Sequence, residues 1–137
     1  VNQQLKYNEG AAAKQNNQQK KEQAKTAVNK LEITPKEILW EFEQGQHVIR
    51  VKNNTKLRYA IKVKCTDNKT YKVTPVADFV EPGKVLPIAI VRGKGGLKKD
   101  IIVLCSMPVS KDEKCASAVF KSGSPNMEVI KMDKRVI

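Results

Sequence analysis

From Leu31 onward the chain alternates apolar and polar residues in short runs separated by turn-forming residues. In "HVIRVK", Ile49 and Val51 fall on one side while Arg50 and Lys52 fall on the other. "YAIKVKCT" repeats this, with Tyr59, Ile61, Val63 and Cys65 opposite Lys62 and Lys64. In "YKVTP", Tyr71 and Val73 point inward and Lys72 outward. Successive strand residues face opposite sides of a sheet, so each run predicts a strand with one buried face. "LEIT" and "ILWEF" flank Pro35, which predicts a first edge strand interrupted where proline has no N–H for a ladder. "VLPIAIV" and "DIIVLCSM" are apolar enough for central strands joined by a Gly-rich turn, and "SAVFK" and "MEVIKM" follow a charged loop at 111–114. Strand-length runs at roughly 8–12-residue spacing predict an all-β sandwich or barrel. No segment after residue 31 carries the period of a long amphipathic helix.

Residues 1–30 have another texture. They hold six Gln, five Asn and six Lys with scattered apolar side chains, too little apolar surface to offset the entropy of ordering. The reading is a tail of charge +4, disordered or transiently helical over Ala11–Lys30, ahead of one domain at 31–137. Such a tail acts as solvated chain or as a tether.

Composition narrows the partners rather than the fold. Of 137 residues, 40% are hydrophobic and only 5% aromatic, so the predicted core is built from Val, Ile and Leu. The net charge of +12 favours acidic peptides, anionic headgroups or nucleic acid. Three cysteines, Cys65, Cys105 and Cys115, show no paired spacing, which suits reduced thiols better than a secreted disulfide framework. No apolar run approaches the roughly 20 residues of a membrane span, and the N-terminus lacks a signal-peptide core. A cytoplasmic protein without a transmembrane segment is expected.

Candidate chemistry is sparse. His47 is the single histidine, and at the start of a strand it reads as structural rather than as a catalytic base. Zinc needs about four clustered N or S ligands, which the cysteine spacing does not supply. "RGKGGLKK" (Arg92 to Lys99) lacks the GxxxxGK[ST] pattern and precedes a strand-like run, so it reads as a hairpin loop. No catalytic residue, metal or cofactor is predicted, and no enzymatic activity. The informative feature is basic charge. Arg50, Lys52, Lys56, Arg58, Lys62, Lys64, Lys69 and Lys72 occur with one acid among them, Asp67. If their strands are neighbours, the outward members form one positive sheet face, a candidate protein-binding patch. The competing reading is ordinary outward charge that guards strands against aggregation. Nucleic acid is disfavoured, because single-strand recognition adds stacking platforms and the aromatics here are scattered and mostly inward.

The stretch "HVIRVKNNTKLRYAIKVKCTDNKTYKVTPVADFVEPGKVLPIAIV" resembles the heart of a major sperm protein domain. The matching pieces are Val48 to Lys52, Asn53-Asn54, Ile61 to Thr66, Tyr71 to Pro75, Phe79-Val80-Glu81-Pro82-Gly83 and the later "DIIVLCSMP". The resemblance covers roughly residues 31–137. It implies an immunoglobulin-like, seven-stranded β-sandwich without enzymatic activity. Members of that family either build or regulate the actin-free filaments of crawling nematode sperm, or act as membrane tethers that bind acidic-tract peptides. Lys62, Lys64 and Thr66 match the tethers' groove strand, which adds Thr66 to the patch. Asp100 and Ile102 stand where the tethers carry a Lys-x-Met pair, and the chain ends without coiled coil or membrane helix. The resemblance therefore implies a cytoskeletal or filament-accessory protein that joins or modulates major sperm protein fibres, with an acidic-peptide adaptor as the alternative.

Overall fold

The computed structural model describes residues 30–135, so the predicted tail lies almost wholly outside the described residues. The strands are β1 (Leu31–Thr34), β2 (Glu37–Trp40), β3 (Gly45–Asn53), β4 (Arg58–Cys65), β5 (Tyr71–Thr74), β6 (Ala77–Val80), β7 (Val85–Arg92), β8 (Asp100–Val109) and β9 (Asn126–Lys134). A single helical turn, α1 (Ala116–Val119), precedes β9. A four-stranded sheet in the order β1-β3-β7-β5 packs on a five-stranded sheet in the order β2-β9-β8-β4-β6. All pairings are antiparallel except β2 with β9.

The predicted inward residues meet between the sheets. Ile49, Val51, Ile61, Val63, Ile88, Ile90, Ile102, Leu104 and Ile130 form one buried cluster with Trp40 and Tyr71. Each aliphatic side chain so buried is worth about 1.5–3 kcal/mol of transfer free energy, which lets a chain with few aromatics hold together. "HVIRVK" and "YAIKVKCT" bury the predicted side of each strand.

The seven expected strands emerge as nine segments, because two strands change sheets partway. β1 and β2 flank Pro35 and sit in opposite sheets; β5 and β6 do the same around Pro75. Both Thr34–Pro35 and Thr74–Pro75 bonds are cis. Proline lacks the N–H that would continue a ladder, so pairing ends there and resumes on the other sheet. In consequence β1, β5, β2 and β6, the outer strands of both sheets, are each four residues long.

One segment departs from the sequence reading. "SAVFK", read as strand-like, forms α1 and turns that lie against β4 and β6 on the outside of the five-stranded sheet. There Ala116 is buried, and Ala60 of β4, which faces outward, is fully covered. A five-residue run of Ala, Val and Phe has no decisive period, and its placement follows from the apolar surface at Ala60 and Phe79 that it covers.

Two buried polar side chains tie the loops to this frame. Asn53, wholly buried at the end of β3, donates from Nδ2 to the carbonyls of Leu57 (2.8 Å) and Val80 (3.0 Å). Its Oδ1 accepts from Thr55 N (2.9 Å) and Thr55 Oγ1 (2.7 Å), and its backbone bonds Lys84 and Gly83. The β3–β4 turn and the β6–β7 turn thus converge on one amide. Arg92, 1% exposed, follows Ile88 and Ile90 on the inward side of β7. Its guanidinium donates to Tyr71 Oη (3.2 Å) and to the carbonyls of Glu43 (2.7 Å), Gly95 (2.8 Å) and Gly96 (2.5 Å). The glycine-rich segment, expected to be a hairpin loop, instead carries the chain from β7 in one sheet to β8 in the other, and it wraps around the buried cation at the end of β7.

Candidate functional site

The predicted basic patch is divided between the two sheets. Arg50 and Lys52 on β3 and Lys72 on β5 point out of the four-stranded sheet, whereas Arg58, Lys62 and Lys64 belong to β4 in the five-stranded sheet. The expectation of one continuous positive face fails for a topological reason. Period-two patterning fixes which side of its own sheet a residue faces, and the 54–57 turn carries the chain from one sheet to the other. Lys56 and Lys69 lie in turns.

Two members of the patch are engaged inside the fold. Arg58 Nε donates to Glu81 Oε2 (2.8 Å), and Nη1 donates to the carbonyls of Ser110 (3.0 Å) and Glu113 (2.9 Å). Its guanidinium also lies 3.7 Å above the Phe79 ring. It anchors the segment that leads to α1. Thr66 Oγ1 donates to Asp100 Oδ1 (2.8 Å) and accepts from Ile101 N (3.1 Å). Lys98 bridges Asp100 (2.6 Å) and Asp67 (3.1 Å), so Asp100, whose side chain is 7% exposed, presents little negative charge outward.

The same cluster sets a pH dependence. Hydrogen bonds from Thr70, then Lys98, hold the Asp67 carboxyl well below the usual carboxylate range. Asp100 and Asp67 push the Lys98 ammonium up. A carboxyl whose folded pKa is depressed adds stability that is present above its unfolded value near 4 and is lost as pH falls. Asp67→Asn keeps an acceptor for the Lys69 and Thr70 amides (2.9 and 3.1 Å) but removes the charge. It is expected to destabilise at pH 7, with the gap from the parent closing below about pH 4. Urea midpoints across pH 2–7 check this, and a gap that stays constant with pH would contradict it.

The outer face of the five-stranded sheet has an apolar floor. Val103 of β8 lies between Lys64 of β4 and Val129 of β9. Ile101 lies beside Lys131, and Cys105 lies between Lys62 and Met127. Met127 and Val129 are 67% and 49% exposed. Lys62, Lys64 and Lys131 border this floor, and none pairs with a carboxylate among the described residues. The outward residues at the start of β8 are Ile101 and Val103, which corrects the register assumed from sequence: Ile102 is fully buried in the core and cannot line a groove. At one end the face opens into a depression of about 540 Å³ lined by Glu37, Thr66, Asp100, Lys131 and Asp133. Its charges are mixed.

His47 stands edge-on to Trp40, ring centroids 4.6 Å apart, a packing role. Cys105 is buried, Cys65 half-buried and Cys115 exposed. Among the described residues no group of three His, Cys, Asp or Glu is placed to hold a metal ion, and no helix is long and apolar enough to cross a membrane.

Comparison with known proteins matches this architecture. The chain is 33% identical over 99 residues to sperm-specific class P protein 32 of Caenorhabditis elegans, covering 72% of this chain and 92% of that one. It is 32% identical over 92 residues to an uncharacterized C. elegans protein, of which it spans about half, 47%. Among solved structures, WR4, a C. elegans MSP family member, superposes with a TM-score of 0.73 at 26% identity, over 78% of this chain and 99% of WR4. The periplasmic chaperone SfaE shares the fold at a TM-score of 0.59 and 14% identity, over 77% of this chain and 57% of SfaE. The profile of the MSP (major sperm protein) domain matches residues 30–128, and the chain belongs to that family.

Proposed function

We propose that this protein is a non-enzymatic, cytoplasmic filament-accessory or filament-forming protein of nematode sperm, which joins or modulates major sperm protein fibres during amoeboid crawling. The observation that carries the reading is the likeness to a sperm-specific class P protein over 92% of that protein's length. The outer face of the five-stranded sheet supports it: Val103, Val129 and Met127 offer apolar contact area, and Lys62 and Lys64 beside them select a less basic partner. Interfaces take their affinity from such apolar centres and their specificity from charged rims.

The alternative, an adaptor for acidic-tract peptides, has less support. Ile101 and Val103 occupy the outward positions at the start of β8, where neither lysine nor methionine stands, and Thr66 is already bonded to Asp100.

Pelleting with preassembled major sperm protein fibres tests the proposal. The chain is expected to sediment with fibres, and Lys62→Glu with Lys64→Glu to reduce the bound fraction severalfold. No sedimentation, together with an unchanged fibre growth rate, would rule it out.

A further inference from the structure

On the opposite side of the molecule, the outer face of the four-stranded sheet has a composition that exposure to water does not explain. β7 runs through it, and every outward residue on that strand before Arg92 is apolar: Val85, Pro87, Ala89 and Val91. Outward positions on a sandwich are ordinarily polar. Here Val85 and Val91 are 47% and 42% exposed, and Pro87 is exposed as well. The flanking strands bring cations to this ridge. Lys52 lies across from Val85, Arg50 across from Pro87, and Lys72, on the other side, across from Val91. None of the three pairs with a carboxylate among the described residues, whereas Lys36, Arg58, Lys98 and Arg135 all do. The acid on this face, Glu32, is half-buried on β1 opposite Lys52.

We propose that this face is a second protein-docking surface, and that its partner is an acidic polypeptide segment carrying aliphatic side chains. Charge complementarity selects that chemistry. Arg50, Lys52 and Lys72 surround the ridge, and carboxylates on the partner neutralise them while aliphatic groups cover the valines. A second copy of this chain is a poor occupant, because at +12 it brings like charge to like charge. None of the four strands turns a Tyr, Phe or Trp outward, so the face has no stacking platform for nucleic acid. Its outward apolar side chains are Val, Pro and Ala, without the Trp, Phe or Leu that anchor a surface in a bilayer. Arg50 and Lys72 are two strands and four residues apart by register, about 17 Å at the usual strand spacing and rise. An extended segment spans that gap in about five residues, so two acidic residues separated by a short aliphatic stretch fit the face.

The test uses the full chain, ¹⁵N-labelled, titrated at low salt with a ten-residue peptide in which pairs of glutamates flank a Leu-Val-Leu centre. Amide shifts are expected to concentrate on Val85–Val91, Arg50, Lys52 and Lys72. Arg50→Glu with Lys72→Glu should weaken binding at least tenfold, while Lys62→Glu with Lys64→Glu leaves it within about twofold. Val91→Ser, a milder change, should weaken it severalfold and serves if the double reversal perturbs folding. Shifts confined to Lys62, Lys64 and Val103, or affinity unmoved by both sets of changes on this face, would overturn the proposal. So would tighter binding of phosphatidylserine vesicles or oligo-dT through the same residues. Because no fibre is involved, failure here is distinct from failure to sediment with fibres.

Discussion

Arg92→Met is expected to lower the unfolding free energy by about 3–4 kcal/mol, read as a shift of the urea midpoint at unchanged slope. The guanidinium is buried, among the described residues no carboxylate pairs with it, and it donates to the carbonyls of Glu43, Gly95 and Gly96 and to Tyr71 Oη. Removing it leaves these acceptors without donors in a site that methionine fills with hydrocarbon, and each buried unsatisfied acceptor costs about 1–3 kcal/mol. The partial opening of two surface loops to water keeps the total below the simple sum. Arg92→Lys is expected to recover less than half, because one ammonium cannot reproduce a planar fork that reaches two loops and the Tyr71 hydroxyl. Amide exchange should accelerate at 43–46 and 93–97 before it does so in the central strands. A loss under about 1 kcal/mol would mean that the loops hold their shape without the cation.

Asn53→Leu should cost about 3 kcal/mol by the same reasoning. The leucine keeps the volume but strips two donors from the carbonyls of Leu57 and Val80 and the acceptor from Thr55. Asn53→Asp is the sharper probe. It preserves the contact to Thr55 but turns an oxygen toward the two carbonyls, and burial raises the pKa of the new carboxyl. Its stability should therefore rise as pH falls toward 4, opposite in sign to the parent's loss of the Asp67 contribution. If Asn53→Asp shows the parent's acid limb unchanged, the amide is not the junction of the two turns.

Much of the frame was legible in the alternation of aliphatic and charged residues. Ile49 and Val51, Ile61 and Val63, and Tyr71 all point where period two places them, because a half-buried strand tolerates neither a lysine inside nor a row of valines outside without a reason. What the pattern cannot carry is the identity of the sheet. "HVIRVK" and "YAIKVKCT" look alike in one dimension, yet they lie in opposite layers, and the basic residues part with them. Register in the apolar run at β8 was also undetermined. With Ile101, Ile102, Val103 and Leu104 in succession, a one-residue slip leaves the apolar count unchanged, and the pattern does not separate buried Ile102 from the outward Ile101 and Val103. The inward place of Arg92 is signalled, since it continues Ile88 and Ile90, but the glycines after it point to a hairpin loop, whereas β7 and β8 lie in different sheets. The outward valines of β7 are likewise visible as an unbroken apolar run, which a central strand buried on both faces would also show.

The two prolines at which strands change sheets have a further result for any polymer the protein enters. Among the described residues they leave each outer strand only four residues long, a short template for a neighbouring chain to extend by main-chain hydrogen bonds. Short outer strands disfavour growth by backbone zippering, the route that ends in irreversible cross-β aggregates. Side chains on the broad sheet faces are then the available contact surface, and attachments made by cations and short aliphatics are ones that salt loosens.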